Sequence, residues 1–496
     1  MIGGGIAGLC AAVYARKCGY QVEVLEMHDM AGGLAMSWRR GAYTFETCLH
    51  WFFGSDPRGA MHARWSEVFD VDKLEFVDLK EIARLETEDG KSLVIPTDAS
   101  RLEKELLDHA PQDAKPIRGL ASAVRRLGAL KMPDPDKSWL GNASILFHDL
   151  PGLPLLRSLS RVTAREYGER FTDPFLRAFF MDSEFGGLPA IAMIFSLAWM
   201  GSGDAKYVVG GAQAIIRLIE KKLAELGGHV RFGAKVKRIL VENDAAVGVE
   251  LAGGETVKAD WVISAADGHA TIFDLLDGRY VDETINRRYE SLELFPSYLQ
   301  VSFGVALDLK NQPGIITRLL KTPLQVDPET ALRRVSFRIF HFDPTFAPAG
   351  KTAITCFLPT RNFEYWSQLR NDAPERYRAE KQRVSESVIG LIEKRIPGVR
   401  AAVEVVDVAT PASIARYTGN WKGSMEGWLA TPKTGFRALP KTLPGLRKFL
   451  MVGQWVMPGG GLPSGIMSAR SGMKTICKED RVEFLARQTV VGDRVG

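Results

Sequence analysis

The chain has 496 residues, 46% of them hydrophobic and 25% charged, with a formal net charge of +5. That length supports two or more cores, and the composition is that of a globular protein rather than a disordered or fibrous one. The charge is mildly basic but forms no dense Lys/Arg block with interleaved aromatics, which argues against a nucleic-acid binder and leaves contact with an anionic membrane surface open.

The first element is a glycine fingerprint. Residues 3 to 8 read Gly3-Gly4-Gly5-Ile6-Ala7-Gly8, a G-x-G-x-x-G pattern. The stretch Leu9 to Lys17 predicts a helix that stops at Gly19, and Gln21 to Leu25 predicts a strand ending on Glu26. This is a βαβ unit for a dinucleotide. The first glycine allows the tight turn, the second admits the pyrophosphate, the third lets helix and strand pack closely, and Glu26 accepts a hydrogen bond from a ribose hydroxyl. The helix N-terminus supplies unpaired N–H groups and partial positive charge. Only Met1 and Ile2 precede the fingerprint, whereas a strand usually has about five to six residues. The expectation is that further residues lie upstream, with Met1 standing where an intact strand carries valine.

Five cysteines occur, Cys10, Cys18, Cys48, Cys356 and Cys477, an odd number with no C-x-x-C pair. Neither a disulfide framework nor a metal site is expected, and the pattern suits a reducing, cytoplasmic compartment. The longest apolar run, Ala190 to Met200, has about half the length of a membrane-spanning helix.

Beyond Glu26 come a second glycine pair, Gly32-Gly33, a strand at Tyr43 to Glu46, and the segment Leu49-His50-Trp51-Phe52-Phe53-Gly54. Residues 56 to 205 are rich in Leu, Arg and Phe with proline punctuation, and predict a mostly helical insertion. Within it, Leu153, Leu155, Leu156, Leu159 and Val162 mix with Arg157, Arg161, Arg165 and Arg170. Such a helix either packs on a core or dips into lipid. From Tyr207 the pattern reads as an amphipathic helix carrying Ile215, Ile216, Leu218, Ile219 and Leu223, then short strands, a turn at Gly253-Gly254, and a strand from Ala259 to Ala266. Residues 280 to 415 alternate strand and helix, with sheet at Leu299 to Val305 and Val335 to Phe340 and a polar-faced helix at Glu375 to Lys394. Phe449 to Lys478 reads as strand, glycine-rich loop and helix; residues 479 to 496 read as a loose tail.

The last of these blocks carries Val452-Gly453-Gln454 and Met457-Pro458-Gly459-Gly460-Gly461-Leu462-Pro463-Ser464-Gly465. With the two glycine motifs near the N-terminus, this layout resembles the phytoene desaturase and retinol saturase family of the amine-oxidase-like flavoproteins. The resemblance covers nearly the whole chain and is weak only across 56 to 205. It implies an α/β fold with FAD as cofactor. A Rossmann-type FAD-binding domain would be assembled from residues 1–55, 206–275 and 446–478. An inserted α+β substrate domain would comprise 276–445 and the mostly helical, substrate- or membrane-facing segment 56–205, with a flexible tail at 479–496.

The implied site follows residue by residue. Gly3, Gly5 and Gly8, with Ile6 and Ala7, would hold the pyrophosphate and Glu26 the adenosine ribose. Gly32 and Gly33 would lie near the phosphates and ribityl chain, and Val236 would meet adenine through its backbone. Gly453 and the backbone of Gly465, Ile466 and Met467 would sit against the pyrophosphate and flavin ring. The chain departs from the pattern at Leu34, where many relatives carry Arg, and at Gln454, where many carry Asp. The implied reaction moves a hydride between a carotenoid or related apolar isoprenoid and flavin N5, with a neighbouring proton exchanged; desaturation, isomerisation and saturation stay open, as does the electron acceptor.

Such a substrate needs an apolar tunnel, for which Phe175, Phe179, Phe180, Phe185, Met193 and Phe195 are candidates; taken singly each reads more readily as core, and a fraction of the group is expected to line the cavity. His50 is the best polar candidate, to relay a proton or polarise the substrate; Glu46 reads as structural or cofactor-linked. Competing readings are an amine- or porphyrinogen-oxidase-like flavoenzyme, with an aromatic cage drawn from residues 51 to 53, and a non-catalytic flavin and isoprenoid carrier. A simple nicotinamide dehydrogenase would leave the second and third glycine motifs without a role. The expected location is cytoplasmic, with peripheral contact at the inner face of the membrane.

Overall fold

The computed structural model describes residues 1–131, 143–181 and 186–486. Its first layer is a parallel sheet. Met1 to Gly3 lie at its centre: Ile2 bridges Leu25 on one side and Ser264 on the other, and its N–H donates to the Ile263 carbonyl at 2.8 Å. Outward from this centre lie Glu23–Leu25 and His229–Arg231 on one flank, and Val262–Ser264 and Phe449–Met451 on the other. Residues distant in sequence thus share one sheet.

Side-chain alternation gives this sheet two apolar faces. On one face Val24, Ile263 and Leu450 pack beneath three helices, Ile6–Lys17, Gly211–Glu225 and Gly461–Asp480. On the other, Leu25, Val262 and Phe449 pack against a three-stranded antiparallel sheet, Val236–Glu242, Ala245–Leu251 and Thr256–Lys258. Cys10 and Cys477 are buried within the helical face as small apolar residues.

The second layer is a seven-stranded mixed sheet. Its order is Val403–Ala409, Ser297–Val305, Thr352–Thr360, Thr330–Ile339, Ile315–Asp327, Glu81–Thr87 and Ser92–Pro96. One face, carrying Leu299, Val301, Phe303, Val335 and Ile354, packs with Val388 and Ile392 of the helix Pro374–Arg395.

Segment 56–205, expected as mostly helical, also contributes the last two of these strands. They form a hairpin closed around Asp89-Gly90, with Gly90 at φ +89°. Asp-Gly between alternating apolar residues favours such a turn, because glycine enters the left-handed region without steric cost. The single surface helix expected over 151 to 170 is instead a turn at Leu150–Gly152, a helix Leu153–Ser160 and a five-residue helix Ala164–Gly168. Thr163 starts the last one with a capping box closed by Glu166, so the chain breaks where a cap is available. Of the tail expected from 479, Glu479 and Asp480 still belong to the C-terminal helix, and 487–496 lie outside the described residues. Among the described residues no helix is long and apolar enough to cross a membrane.

Candidate functional site

A cavity of about 1010 Å³ opens between the two layers, at the upper end of ligand pockets, roughly 300–1,000 Å³. It is built from three kinds of wall.

The first wall is backbone. Gly3, Gly5, Ile6 and Ala7 line it at the start of the first helix, and Gly461, Leu462, Ser464 and Gly465 line it at the start of the C-terminal helix. The first four N–H groups of a helix have no intrahelical acceptor and carry the positive end of its dipole. Neither helix has an acidic residue in its first turn to neutralise that end. Two helix N-termini therefore present free donors to one space, an arrangement suited to a pyrophosphate.

The glycines of this wall differ in purpose. A Cβ on Gly8 would lie 2.0 Å from the Gly3 carbonyl oxygen, so Gly8 serves helix–strand packing and is not itself at the cavity. A Cβ on Gly5 would meet nothing nearer than 3.7 Å. The protein would tolerate a side chain there, and the space it leaves belongs to the cavity. Gly32 and Gly33 line the same region; Gly32 donates to the Gly4 carbonyl at 2.9 Å.

Glu26 lies at the end of its strand, buried and lining the cavity. Its two carboxylate oxygens accept the N–H groups of Gly4 at 2.7 Å and His28 at 2.9 Å. Each oxygen keeps a lone pair for a ligand hydroxyl. Val236 lines the cavity at the first position of its strand, beside Ala234 and Lys235.

The C-terminal motif behaves differently from its expectation in three places. The Gly453 N–H donates to the Ser468 hydroxyl at 2.8 Å, so Gly453 borders the cavity without a free donor. Ile466 is fully buried in the helical core and Met467 packs on it; neither lines the cavity. The helix begins at Gly461, so the amides of 466 and 467 bond within the helix, and the free donors lie at Gly461, Leu462 and Ser464, residue 463 being proline without an N–H.

The second wall is one face of the large sheet. Cross-strand register puts Thr317 opposite Ser336 and Ser336 opposite Phe357. In the neighbouring rows Arg338 faces Thr355, and Tyr298 faces Pro359. All of these line the cavity, and their alternate neighbours form the core on the far side. Ile82, Phe179 and Ile315 extend the wall with apolar surface.

Of the aromatic group expected to form a tunnel, Phe179 alone lines the cavity. Phe175 and Phe180 belong to the core of the helical segment, Met193 and Phe195 pack on it, and Phe185 lies outside the described residues. Residues 51 to 53 form no cage there, since Phe52 is buried against Trp65 and Phe53 stacks on Trp199 at 4.0 Å.

The third wall is polar. His50 retains accessible surface although it lies deep, because its ring opens into the cavity. Arg338 donates one bond to the Leu49 carbonyl at 2.7 Å and another to His50 Nδ1. With Nδ1 accepting, the imidazole proton sits on Nε2. Burial, and then the Arg338 charge, hold the His50 pKa well below its ordinary value, so the ring is a neutral donor. Arg338 itself is pulled down to about 10 by burial and stays charged at neutral pH.

Glu46 does not line the cavity. It accepts from the N–H groups of Cys48, Leu49 and Ala212 and holds the loop that aims His50. Burial outweighs these donors and raises its pKa to about 6. Two further acidic residues at the cavity escape notice in the sequence. Asp267 accepts from Ala270 and Trp421 amides, and Glu426 lies against the P-G-G-G loop. Both belong to short glycine-flanked segments with no periodicity, so only the fold brings them here.

A family model described as flavin containing amine oxidoreductase matches residues 6–471. A 4,4'-diapophytoene desaturase (4,4'-diapolycopene-forming) from a Methylomonas species is 25% identical, over 98% of this chain and 96% of its own length. A chloroplastic prolycopene isomerase from Daucus carota is 25% identical, over 95% of this chain and 78% of that one. Among solved structures, an oxidoreductase from Methanosarcina mazei superposes with a TM-score of 0.61 at 16% identity, covering 96% of this chain and 99% of that one. A redesigned putrescine oxidase superposes at 0.62 and 15% identity, covering 96% and 98%. At these identities the structural likeness is one of fold.

Proposed function

Since the chain belongs to the flavin containing amine oxidoreductase family, we propose that it is an FAD-dependent enzyme that exchanges hydrogen with a CH–CH unit of a carotenoid or related apolar isoprenoid. The observation that carries this reading is the cavity itself, donor-rich where the helix N-termini meet and lined along the large sheet by Ile82, Phe179, Ile315 and Phe357. The near-full-length similarity to a diapophytoene desaturase supports the substrate class.

The residues suit the cofactor. The amides at Gly5 to Ala7 would take the pyrophosphate, those of Gly461, Leu462 and Ser464 would face the cofactor from the other helix start, Glu26 would take a ribose hydroxyl, and Val236 the adenine edge through its backbone. Gly5 leaves room for the bulk of the group, while Gly32, where a Cβ would lie 2.6 Å from the Ala35 carbonyl oxygen, is required by the turn itself. Bound FAD supplies a hydride acceptor and donor, and the protein supplies position and a water-poor surrounding. His50, kept neutral by burial and then by the Arg338 charge, presents its Nε2–H to the cavity, where it can lie against the π face of a polyene; its depressed pKa makes it a poor proton carrier near neutrality.

The test is anaerobic mixing of purified, FAD-loaded protein with phytoene or 4,4'-diapophytoene in vesicles, followed by flavin absorbance and product chromatography. Bleaching with a more conjugated product is the expected outcome. Bleaching by putrescine or another amine, with none by polyenes, would instead favour an amine oxidase. A flavin-loaded protein that binds polyenes and leaves them unchanged would be a carrier.

A further inference from the structure

Of the titratable groups around the cavity, one has no role in holding the protein together. Glu426 is half-buried, lines the cavity, and makes no hydrogen bond or ion pair among the described residues. A carboxyl drawn out of bulk water without a partner is costly, and such a group in a cleft is a functional candidate on physical grounds.

The surrounding backbone is shaped to receive it. Gly460 adopts φ +63° and ψ −166°, a conformation open essentially to glycine alone. A Cβ on Gly460 would fall 2.1 Å from Glu426 Oε2 and 2.4 Å from its Cδ. The middle glycine of the P-G-G-G run thus makes room for this carboxyl directly beside the first turn of the C-terminal helix, at the donor-rich wall.

The other carboxyls near the cavity are engaged or outside. Glu26 is held by Gly4 and His28, Glu46 by three amides, and Asp267 by Ala270 and Trp421. Asp274 is exposed. His50 has Nδ1 occupied by Arg338.

We propose that Glu426 is the proton-transferring residue of the reaction. This rests on the desaturase reading above. Two neighbouring C–H bonds of the substrate break. One hydrogen would leave as hydride, for which bound oxidised FAD would be the two-electron acceptor, and the other would leave as a proton to a Glu426 carboxylate oxygen. The electron pair left behind closes the C=C bond, and the carboxylic acid later returns its proton to solvent. Run in reverse, the same acid protonates carbon, as saturation requires.

Burial raises the Glu426 pKa to about 7, where a group can act as acid or base at neutral pH. Among the titratable groups that share the cavity, Cys48 lies close enough for the Glu426 charge to raise its pKa, and no cation among the described residues pairs with Glu426.

The experiment compares FAD-loaded wild type, Glu426→Gln and Glu426→Asp by anaerobic stopped-flow flavin bleaching with phytoene or 4,4'-diapophytoene across pH. Expected are an inflection near pH 7 in the wild type and loss of both inflection and rate in Glu426→Gln, by roughly 100-fold for a missing acid–base group. Glu426→Asp should restore part of each, with flavin content unchanged.

A second readout needs no turnover. The folded pKa lies above the ordinary carboxyl value, so the wild type is penalised as pH rises through about 7. Glu426→Gln should therefore melt progressively higher than wild type between acid and alkaline pH. Wild-type bleaching with an unaltered rate and pH profile in Glu426→Gln would overturn the inference alone. If Glu426→Gln fails to hold flavin, a wild-type profile flat through neutrality overturns it. No bleaching of wild type by either polyene sinks the desaturase reading and this inference with it.

Discussion

Gly5 and Gly8 look equivalent in the fingerprint and are separated only by what surrounds them. Gly8→Val would press its Cβ into the Gly3 carbonyl and should destabilise the fold by about 1–3 kcal/mol, as overpacking does. The Cβ of Gly5→Val meets no protein atom closer than 3.7 Å. Its apo form should melt like the wild type while FAD affinity falls by tenfold or more, about 1.4 kcal/mol. Flavin absorbance per protein alongside a melting curve reads both; equal flavin in Gly5→Val would remove Gly5 from the cofactor site. His50→Ala should retain flavin and lose about fivefold in rate, the worth of one neutral hydrogen bond of about 1 kcal/mol. The pH inflection assigned to Glu426 should survive it, because His50 is neutral throughout that range. A profile that loses its inflection with His50 would mean the imidazole titrates during turnover.

Elements far apart in sequence are tied by a buried polar cluster. Glu67 accepts from Arg470 on the C-terminal helix at 2.6 Å, from Tyr14 on the first helix at 2.7 Å, and from Arg64 at 2.6 Å. Removing Glu67 takes a buried carboxylate away from the two arginines it pairs. Glu67→Ala should therefore cost about 3–5 kcal/mol in thermal or urea unfolding. Replacing Glu67 and Arg470 together with Gln and Met should cost less than Glu67→Ala, since one buried charge is removed together with its counter-charge. A single variant as stable as wild type would show that the cluster adds nothing. The helices at the glycine wall owe their alignment to this layer, so the same variant should also loosen FAD retention.

Across the whole molecule, a membrane-facing surface is expected wherever apolar side chains find no partner. Leu155 and Leu159, read from the sequence as such residues, pack on the helical core, and Leu159 is only 2% exposed. Within this segment the exposed apolar residues are instead Phe147 at 72% and Leu150 and Leu153 at 50% each, with Arg157 and Arg161 also exposed nearby in the chain. A ridge of this kind suits shallow insertion beside anionic headgroups. The protein should float with anionic liposomes, and Phe147→Glu with Leu153→Glu should abolish flotation. Equal flotation of the double variant would place any membrane contact elsewhere.

Much of this architecture is legible in the residues themselves. The three glycine motifs, the strand ending on Glu26 and the strand–hairpin–strand run from 229 to 264 follow from local chemistry: φ > 0 at glycine, period-two apolar residues, and helix starts beside tight turns. Those rules act over a few residues, so they carry into the fold wherever packing agrees. The substrate-facing wall follows from different causes. Thr317, Ser336, Arg338 and Phe357 meet because three strands align in register, and their inward faces depend on a core lying behind them. Glu426 meets Gly460 across 34 positions of sequence, and Arg338 meets His50 across 288. No periodicity links such pairs. Burial, unpaired charge and the neutral state of His50 are properties of the assembled cavity, because desolvation and close charges exist only once the layers have closed around it.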